Sequence, residues 1–144
     1  MTAYNRQTSE VLKTSKVYPY QFSIIIPALN ESTNIENCLI ALQFLRNQAE
    51  IIVVDGGSID NTLALATHYA DKTLSSEQGR AKQMNHGAKH ATGEILVFLH
   101  ADTELPENAL FLIEQQLKPQ QTWGRFDIQL KGESLMFKII AFMM

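Results

Sequence analysis

The sequence predicts an α/β domain with a mostly parallel central sheet. Three short runs, residues 22–26, 50–54 and 95–99, are almost wholly apolar, which is typical of strands buried on both faces. The first two runs are each followed by a polar turn and then by apolar residues at helical spacing. Successive strand-loop-helix units of this kind predict parallel strands joined by right-handed crossovers.

The size and charge of the chain fit one globular domain. Its 144 residues suffice to bury a core, and we expect a flexible leader over residues 1–20 and the domain over residues 21–144. The formal net charge of −3 argues against a nucleic-acid partner. The single cysteine, Cys38, falls on the apolar side of a predicted helix, which favours core packing and a reducing compartment. Because the leader has no apolar signal core, the sequence predicts a cytoplasmic location.

The first half of the chain supplies two of the units and a third strand. Order is expected from Gln21, and Pro27 is expected to stop the first strand. The helix that follows has Ser32 or Asn34 as a candidate N-cap. A second helix is predicted over residues 61–70 and a short strand over residues 72–75. The apolar face of the first helix is formed by Ile35, Cys38, Leu39, Leu42 and Leu45.

The second half begins with a helix over residues 79–91, for which Gly93 is the predicted C-terminal cap. The central strand of the sheet follows, and Pro106 then opens a helix that runs to Leu117. Residues 122–130 alternate like a half-exposed strand, and residues 134–144 are almost wholly apolar but too short to span a bilayer. No transmembrane segment is predicted. The apolar end suggests a chain that is incomplete at its C-terminus, or a peripheral membrane or dimer contact. The apolar face of the helix over residues 79–91 is expected to be Ala81, Met84, Ala88 and Ala91.

Polar residues stand where the apolar runs end. Asp55 and Gly56 follow the second run, and His100, Ala101 and Asp102 follow the central one. Ligands of open α/β sheets bind beyond the carboxyl ends of the strands. We therefore expect Asp102, with His100 beside it, to hold a divalent cation at this edge.

Four segments, in this order and spacing, resemble the inverting glycosyltransferases of family 2, which have the GT-A fold. They are residues 24–31 (IIIPALNE), residues 51–62 (IIVVDGGSIDNT), residues 79–87 (GRAKQMNHG, followed by Ala91 and Gly93) and residues 99–102 (LHAD). The resemblance covers Phe22 to about Leu117. It implies a Rossmann-like three-layer sandwich that transfers a sugar from a nucleotide-diphosphate donor to an unknown acceptor. The pairing of residues 79–85 with 98–103 and 123–127 is similar to a subgroup tied to arsenosugar biosynthesis.

The sequence departs from the family pattern at two positions. Family members usually carry Asp-x-Asp where this chain has His100-Ala101-Asp102, so an imidazole replaces the first carboxylate and Asp102 matches the metal-binding Asp. The loop after the second strand often reads Asp-Asp, and its second Asp contacts the base in some members. Gly56 stands at that position here, so the resemblance does not identify the base.

The resemblance implies a donor pocket and a metal site at the carboxyl edge. Asp102 and His100 would hold Mn²⁺ or Mg²⁺, which stabilises the charge that builds on the departing diphosphate. A neutral imidazole favours Mn²⁺ over Mg²⁺ relative to an all-carboxylate site. Arg80, at the start of a helix, could fork onto phosphate oxygens. The residues expected to bind the nucleotide sugar are Pro27, Ala28, Glu31, Asp55, Gly56, Arg80 and Ala101.

Each of these residues also has a purely structural interpretation. His100 could be tied to a backbone carbonyl, Asp102 could cap a turn, and Asp55 could cap the Gly-Gly-Ser loop. Arg80 and Lys82 could lie on a solvated helix face. Three further histidines show no metal-ligand spacing and are interpreted as surface residues: His68, His86 and His90.

The catalytic general base is not assigned. An inverting transfer needs a group that takes the proton of the acceptor hydroxyl, and in the family this carboxylate lies in a later segment. Asp127 is a poor substitute because it falls in the exposed register of an alternating strand. Trp123 is either an edge aromatic or a platform for an acceptor sugar.

The sequence favours a glycosyltransferase over three other classes of protein. A non-catalytic nucleotide-binding or interaction module is the alternative function, supported by the missing base and by the His-for-Asp exchange. A sugar nucleotidyltransferase would need a Gly-x-Gly-x-Arg loop after the first strand, where this chain has Pro-Ala-Leu-Asn-Glu. A dehydrogenase is disfavoured because no Gly-x-Gly-x-x-Gly follows a strand.

Overall fold

The computed structural model describes residues 20–116 and Gly124. The predictions for the leader up to residue 19, for Trp123 and Asp127, for the strand over residues 122–130 and for the apolar end lie outside the described residues. The described part divides into two compact units between Pro106 and Glu107. The first unit contains the sheet and three helices, and the second contains one helix.

The first unit is a four-stranded parallel sheet with helical crossovers, which confirms the predicted α/β class. The strands lie in the order β3-β2-β1-β4. No helix among the described residues is long and apolar enough to cross a membrane. Along the chain the elements are β1 (Tyr20–Ala28), α1 (Ile35–Ala41), a 3-10 turn (Gln43–Leu45), β2 (Ala49–Asp55), α2 (Thr62–Tyr69), β3 (Lys72–Ser75), α3 (Arg80–His90), β4 (Gly93–Phe98) and α4 (Ala109–Gln116).

The helices cover both faces of the sheet. The chain steps in one direction from β1 to β3 and then returns to the other side of β1, so right-handed crossovers place α1 and α2 on one face and α3 on the other. On the α3 face, Gly87 lies against Ile25 and Val54. On both faces the side chains of β1 and β2 form the core, and Ile24, Ile26 and Val53 are as fully buried as Ile25 and Val54.

Pro27 does not end β1, contrary to the sequence prediction. The strand continues to Ala28, with Pro27 opposite Val54 and Ala28 opposite Asp55 of β2. The carbonyl of Ile25 faces β4, since it accepts a bond from the Leu99 N–H, whereas the carbonyl of Ala28 accepts one from Gly56 after β2. Because successive residues of a strand direct their backbone groups to opposite neighbours, the nitrogen of Pro27 faces the β4 side. β4 has already ended at this level, so the sheet loses no hydrogen bond through the missing N–H of Pro27.

β4 is not the doubly buried central strand that its apolar run predicted. Among the described residues it pairs only with β1 and lies at one end of the sheet. Leu96 is 39% exposed and Phe98 is 45% exposed, whereas Val97 between them is buried. The central strands are β1 and β2. An apolar run alone does not distinguish a central strand from an edge strand, because the neighbours come from elsewhere in the chain.

Gly93 does not cap α3. The C-cap of α3 is Ala91, and Gly93 is the first residue of β4. A Cβ at this position would lie 2.4 Å from the carbonyl carbon of Phe22 and 2.6 Å from the nitrogen of Ser23. The glycine is therefore required by the close approach of two backbones rather than by a helix end.

Two helix starts also differ from their predictions. Asn34 occupies the N-cap of α1 but makes no capping bond, because its amide donates to Glu31 Oε2 instead, at 2.9 Å. Neither Asn34 nor Ser32 is a side-chain cap of this helix. In the second unit α4 begins at Ala109 rather than at Pro106, and its first turn carries no acidic residue.

The amino-terminal edge of the sheet contains a buried ionic network that the sequence did not reveal. Glu50 of β2 is 1% exposed. Its carboxylate accepts bonds from Lys72 Nζ at 2.8 Å, from Ser23 Oγ at 2.6 Å, and from the hydroxyl of Thr92 at 2.8 Å, as well as from the Thr92 N–H. Together with the bond from the Gly93 N–H to Ser23 Oγ at 2.8 Å, this network joins all four strands at the edge opposite the candidate site.

Candidate functional site

The carboxyl ends of β1, β2 and β4 meet at one edge of the sheet. Parallel strands bring their following loops to the same side, and the strand order reverses between β1 and β4. Such a switch point is where ligands bind in open α/β sheets. Two backbone bonds join the strand ends, from Leu99 N to Ile25 O at 3.0 Å and from Gly56 N to Ala28 O at 2.9 Å.

Asp55, at the end of β2, holds its own loop together. Its Oδ2 accepts bonds from the N–H groups of Gly57 and Ser58, both at 3.0 Å, and its Oδ1 accepts one from Ser58 Oγ at 2.5 Å. This is the turn-capping arrangement that the sequence analysis left open. The buried carboxylate therefore fixes the backbone that carries Gly56 beside Ala28.

The loop after β1 is bonded to the loop after β2. Asn30, which adopts a left-handed backbone with φ 55°, donates its N–H to Ser58 Oγ at 2.9 Å. The side-chain oxygen of Asn30 accepts a bond from the Ile59 N–H at 2.9 Å. A second pair of contacts runs from Glu31 N to Thr62 Oγ1 at 2.8 Å and from Ser32 N to Asp60 Oδ2 at 3.1 Å.

Asp60 is the anchor of this pair of loops. Its Oδ1 accepts bonds from the hydroxyl and the N–H of Thr62, at 2.5 and 3.0 Å. The Thr62 hydroxyl bond, together with the bonds from Ser32, holds the pKa of the Asp60 carboxyl well below its usual range. Sequence reasoning did not identify Asn30, Asp60 and Thr62 as residues of this site. Short polar side chains in or next to loops frequently form turns, and this property could have identified them.

Gln83 is a further residue that sequence reasoning missed at this edge. It was expected on a polar face of α3, yet it is 3% exposed. Its amide Nε2 donates to the carbonyls of Ala28 and Val54, both at 2.8 Å. Of the residues predicted to face the core, Ala81 is exposed, while Met84, Ala88 and Ala91 are half-buried. The buried face of α3 is therefore displaced toward Gln83 and Gly87.

The segment after β4 presents two ionisable side chains. Asp102 is exposed, and its Oδ1 accepts a bond from the adjacent Thr103 hydroxyl at 3.2 Å. His100 is half-buried, and within the part of the chain that the structure describes its imidazole makes no hydrogen bond. The alternative of an imidazole tied to a backbone carbonyl is therefore not observed there. Ala101, between them, is buried.

Arg80 is the first residue of α3 and is exposed. Its guanidinium makes no ion pair with any residue in the described ranges, 20–116 and 124. Lys82, by contrast, pairs with Glu77 at 2.5 Å on the surface. Because Gln83 contacts the carboxyl ends of β1 and β2, the first turn of α3 lies at the same edge as the loops.

The predicted site residues are brought together in part. Ala28, Asp55 and Gly56 are joined through Gln83 and the bond between strand ends, while Pro27 lies in β1 next to Ala28 and Glu31 lies on the loop that follows. Arg80 and the segment from His100 to Asp102 lie at the same edge but share no hydrogen bond with that group among the described residues.

The donor set fits a divalent cation only with ligands from a bound molecule. No group of three or more His, Cys, Asp or Glu side chains in the described ranges is arranged to hold a metal. Within residues 20–116 and 124, one carboxylate oxygen of Asp102 accepts no hydrogen bond, and His100 adds one nitrogen. Magnesium sites with one or two protein carboxylates are commonly completed by substrate phosphates and water. These two residues fit such a site.

A parallel sheet of this order, with helices on both faces and polar loops at its switch point, defines a doubly wound α/β protein. Comparison with known families makes the class specific: the model of glycosyl transferase family 2 matches residues 23–125. The chain belongs to this family, as its sequence motifs predicted, and its sheet is that of the GT-A fold.

The similar proteins are glycosyltransferases. A PGL/p-HBAD biosynthesis glycosyltransferase of Mycobacterium bovis is 41% identical over 95 residues, which are 60% of this chain and 37% of that protein. The structure of S. aureus TarS 1–349 with UDP-GlcNAc is similar, with a TM-score of 0.57 and 26% identity, and the match covers 66% of this chain and 30% of that one. The mannosyltransferase PcManGT of Pyrobaculum calidifontis, in complex with GDP-Man and Mn²⁺, gives a TM-score of 0.54 at 28% identity, over 70% and 34% of the two chains. The chain thus spans about a third of the length of its relatives.

Proposed function

We propose that this protein transfers a sugar from a nucleotide-diphosphate donor by an inverting displacement assisted by a divalent cation. The observation that carries the proposal is the exposed Asp102 carboxylate after β4, at the switch point of a family 2 sheet, one oxygen of which accepts no hydrogen bond from the described residues. The neighbours that contain UDP-GlcNAc, or GDP-Man and Mn²⁺, support a donor and a metal of this kind. The acceptor is unassigned, and a cytoplasmic location stays a prediction of the sequence.

Each residue of the site has a role in this proposal. Asp102 and His100 would hold Mn²⁺ or Mg²⁺, and the ion when bound supplies positive charge to the departing diphosphate. The Arg80 guanidinium and the free N–H groups of the first turn of α3 attract the same phosphates. Hydrogen bonds from Gln83 and to Asp55 fix the backbone of Ala28 and of the loop that carries Gly56. This ordered backbone forms one side of the pocket in which the donor can lie.

A non-catalytic nucleotide-binding module is the second candidate. One observation favours it: both oxygens of Asp55 are bound within their own loop, so this carboxylate is less available to a donor than the family pattern implies. The arsenosugar-type subgroup remains a finer proposal that rests on residues 79–85 and 98–103 with the segment around Trp123.

Donor binding is tested by thermal unfolding of the protein with UDP, GDP and their sugars, each with and without MnCl₂. A ligand at 100 times its dissociation constant should stabilise the fold by about 2.7 kcal/mol. We expect metal-dependent stabilisation by at least one nucleotide, its loss in Asp102→Asn, and a larger effect of Mn²⁺ than of Mg²⁺. Glu94→Gln is the matched control, because it removes one exposed carboxylate from the opposite end of β4.

Three results would count against parts of the proposal. Stabilisation that survives in Asp102→Asn would remove this residue from the metal site. An equal or larger effect of Mg²⁺ would contradict the role of His100. Nucleotide binding without any release of UDP or GDP from the sugar nucleotide would favour the non-catalytic module.

A further inference from the structure

Gln83 connects α3 to the ends of the two central strands. Its amide is buried, and both of its N–H bonds are used, one for Ala28 O at the end of β1 and one for Val54 O next to the end of β2. Ala28 O also accepts the bond from Gly56 N. The helix whose first residue is Arg80 is therefore fastened directly to the backbone from which the loops after β1 and β2 begin.

The Gln83 amide also occupies the space next to Gly56. A Cβ at this position would lie 3.0 Å from both Cδ and Nε2 of Gln83 and 3.1 Å from its Oε1. The φ of Gly56 is not among the positive values of the chain, so the glycine is not required by a left-handed turn. A Cβ at Gly56 would force the Gln83 amide to shift by a few tenths of an ångström, and that shift would strain its two hydrogen bonds to Ala28 O and Val54 O.

We propose that Gln83 is a positioning residue of the donor pocket, acting through Gly56 and the carbonyls of Ala28 and Val54. It sets the distance between the first turn of α3 and the loop after β2, and so places Arg80 relative to the backbone of Ala28 and Gly56. The inference rests on the proposed function, since the pocket is the one that would take a nucleoside diphosphate.

The test compares nucleotide affinity with fold stability in the same variants. Gln83→Met keeps the length of the side chain but cannot donate to either carbonyl. Ser23→Ala is the matched control, because Ser23 is equally buried and its hydroxyl bridges Glu50 and Gly93, but at the opposite edge of the sheet. Calorimetric titration with UDP and with GDP, in MnCl₂, gives the dissociation constants, and urea unfolding gives the stabilities.

We expect both variants to unfold more readily, but only Gln83→Met to bind nucleotide about tenfold more weakly, a change of ~1.4 kcal/mol. A general loss of stability would affect the affinity of both variants alike. An affinity of Gln83→Met within twofold of the wild-type value would overturn the positioning role and leave the proposed function intact.

A double-mutant cycle tests the contact itself and remains informative if Gln83→Met does not fold. Gly56→Ala alone should weaken nucleotide binding, because the new methyl group displaces the Gln83 amide. In Gln83→Ala the same substitution should have no further effect, since the space is then open. Fully additive losses would refute the coupling. If the wild-type protein binds neither nucleotide, the proposed function fails and the positioning role fails with it, whatever coupling appears in the unfolding data.

Discussion

Among single residues, Cys38 shows how burial lowers the reactivity of a thiol. Burial, and secondarily the negative charge of Asp102, raises the pKa of its thiol to about 11. A thiol reacts as the thiolate, so we expect Cys38 in the native protein to react slowly with Ellman's reagent at pH 8 and rapidly in guanidinium chloride. Because Cys38 is the only cysteine of the chain, the absorbance reports this residue alone. Fast labelling of the native protein would contradict its placement in the core.

Single residues also mark the limit of what the sequence could predict at the site. The position of Asp102 could be predicted from one rule, because the loop that follows a parallel strand lies at the carboxyl edge of the sheet. The burial of Gln83 could not be derived, since its partners lie 55 and 29 residues earlier in the chain. Nor could the turn at Asp55 be distinguished from a ligand site, because both use the same carboxylate.

At the scale of elements, helical spacing and apolar runs predicted all four strands and all four helices of the described residues within a few positions. Three of the errors share one physical cause. Pro27, Gly93 and the exposed face of β4 were misjudged because each depends on which strand lies alongside. Pairing is a long-range property, whereas period and turn chemistry are local.

The strands also carry a pH-dependent interaction in the network around Glu50. Burial raises the pKa of this carboxyl, but bonds from Lys72, Ser23 and Thr92 outweigh burial and lower the pKa from 4.5 to about 2. Because the folded-state pKa is the lower one, the stabilisation is complete above pH 4.5 and is lost as the pH falls toward 2. Urea unfolding between pH 2 and 7 should show this slope.

Glu50→Gln separates this group from the other carboxylates. We expect the variant to be less stable at pH 7 by ~2 kcal/mol, because it removes the charge of a buried carboxylate that accepts several hydrogen bonds, and to have a smaller loss of stability on acidification. Lys72→Met should raise the pKa of Glu50, so its loss should begin at a higher pH. The exposed Glu94→Gln serves as the control. An acid profile of Glu50→Gln that parallels the wild-type profile would place the slope in other groups.

At the scale of the whole molecule, stability should decrease outward from the centre of the sheet. β1 and β2 are buried on both faces and paired on both sides, whereas the four residues of β3 are half-buried or exposed. Amides of the two central strands should therefore exchange with solvent only through nearly global unfolding, and those of β3 through smaller openings. Hydrogen exchange followed by NMR is practical for this chain of 16.2 kDa.

The hydrogen-exchange experiment has its most specific expected result in β4. The N–H of Leu99 bonds to β1, so by alternation the amides of Leu96 and Phe98 point away from β1. We expect these two amides to exchange much faster than that of Val97, and the loops after β1, β2 and β4 to become slower when UDP or GDP binds with Mn²⁺. Equal protection of Leu96, Val97 and Phe98 in the free protein would show that another part of the chain, or a second copy, bonds to the outer edge of β4. In that case β4 would not be an edge strand in solution, and Leu96 and Phe98 would be less exposed than they are within the described residues.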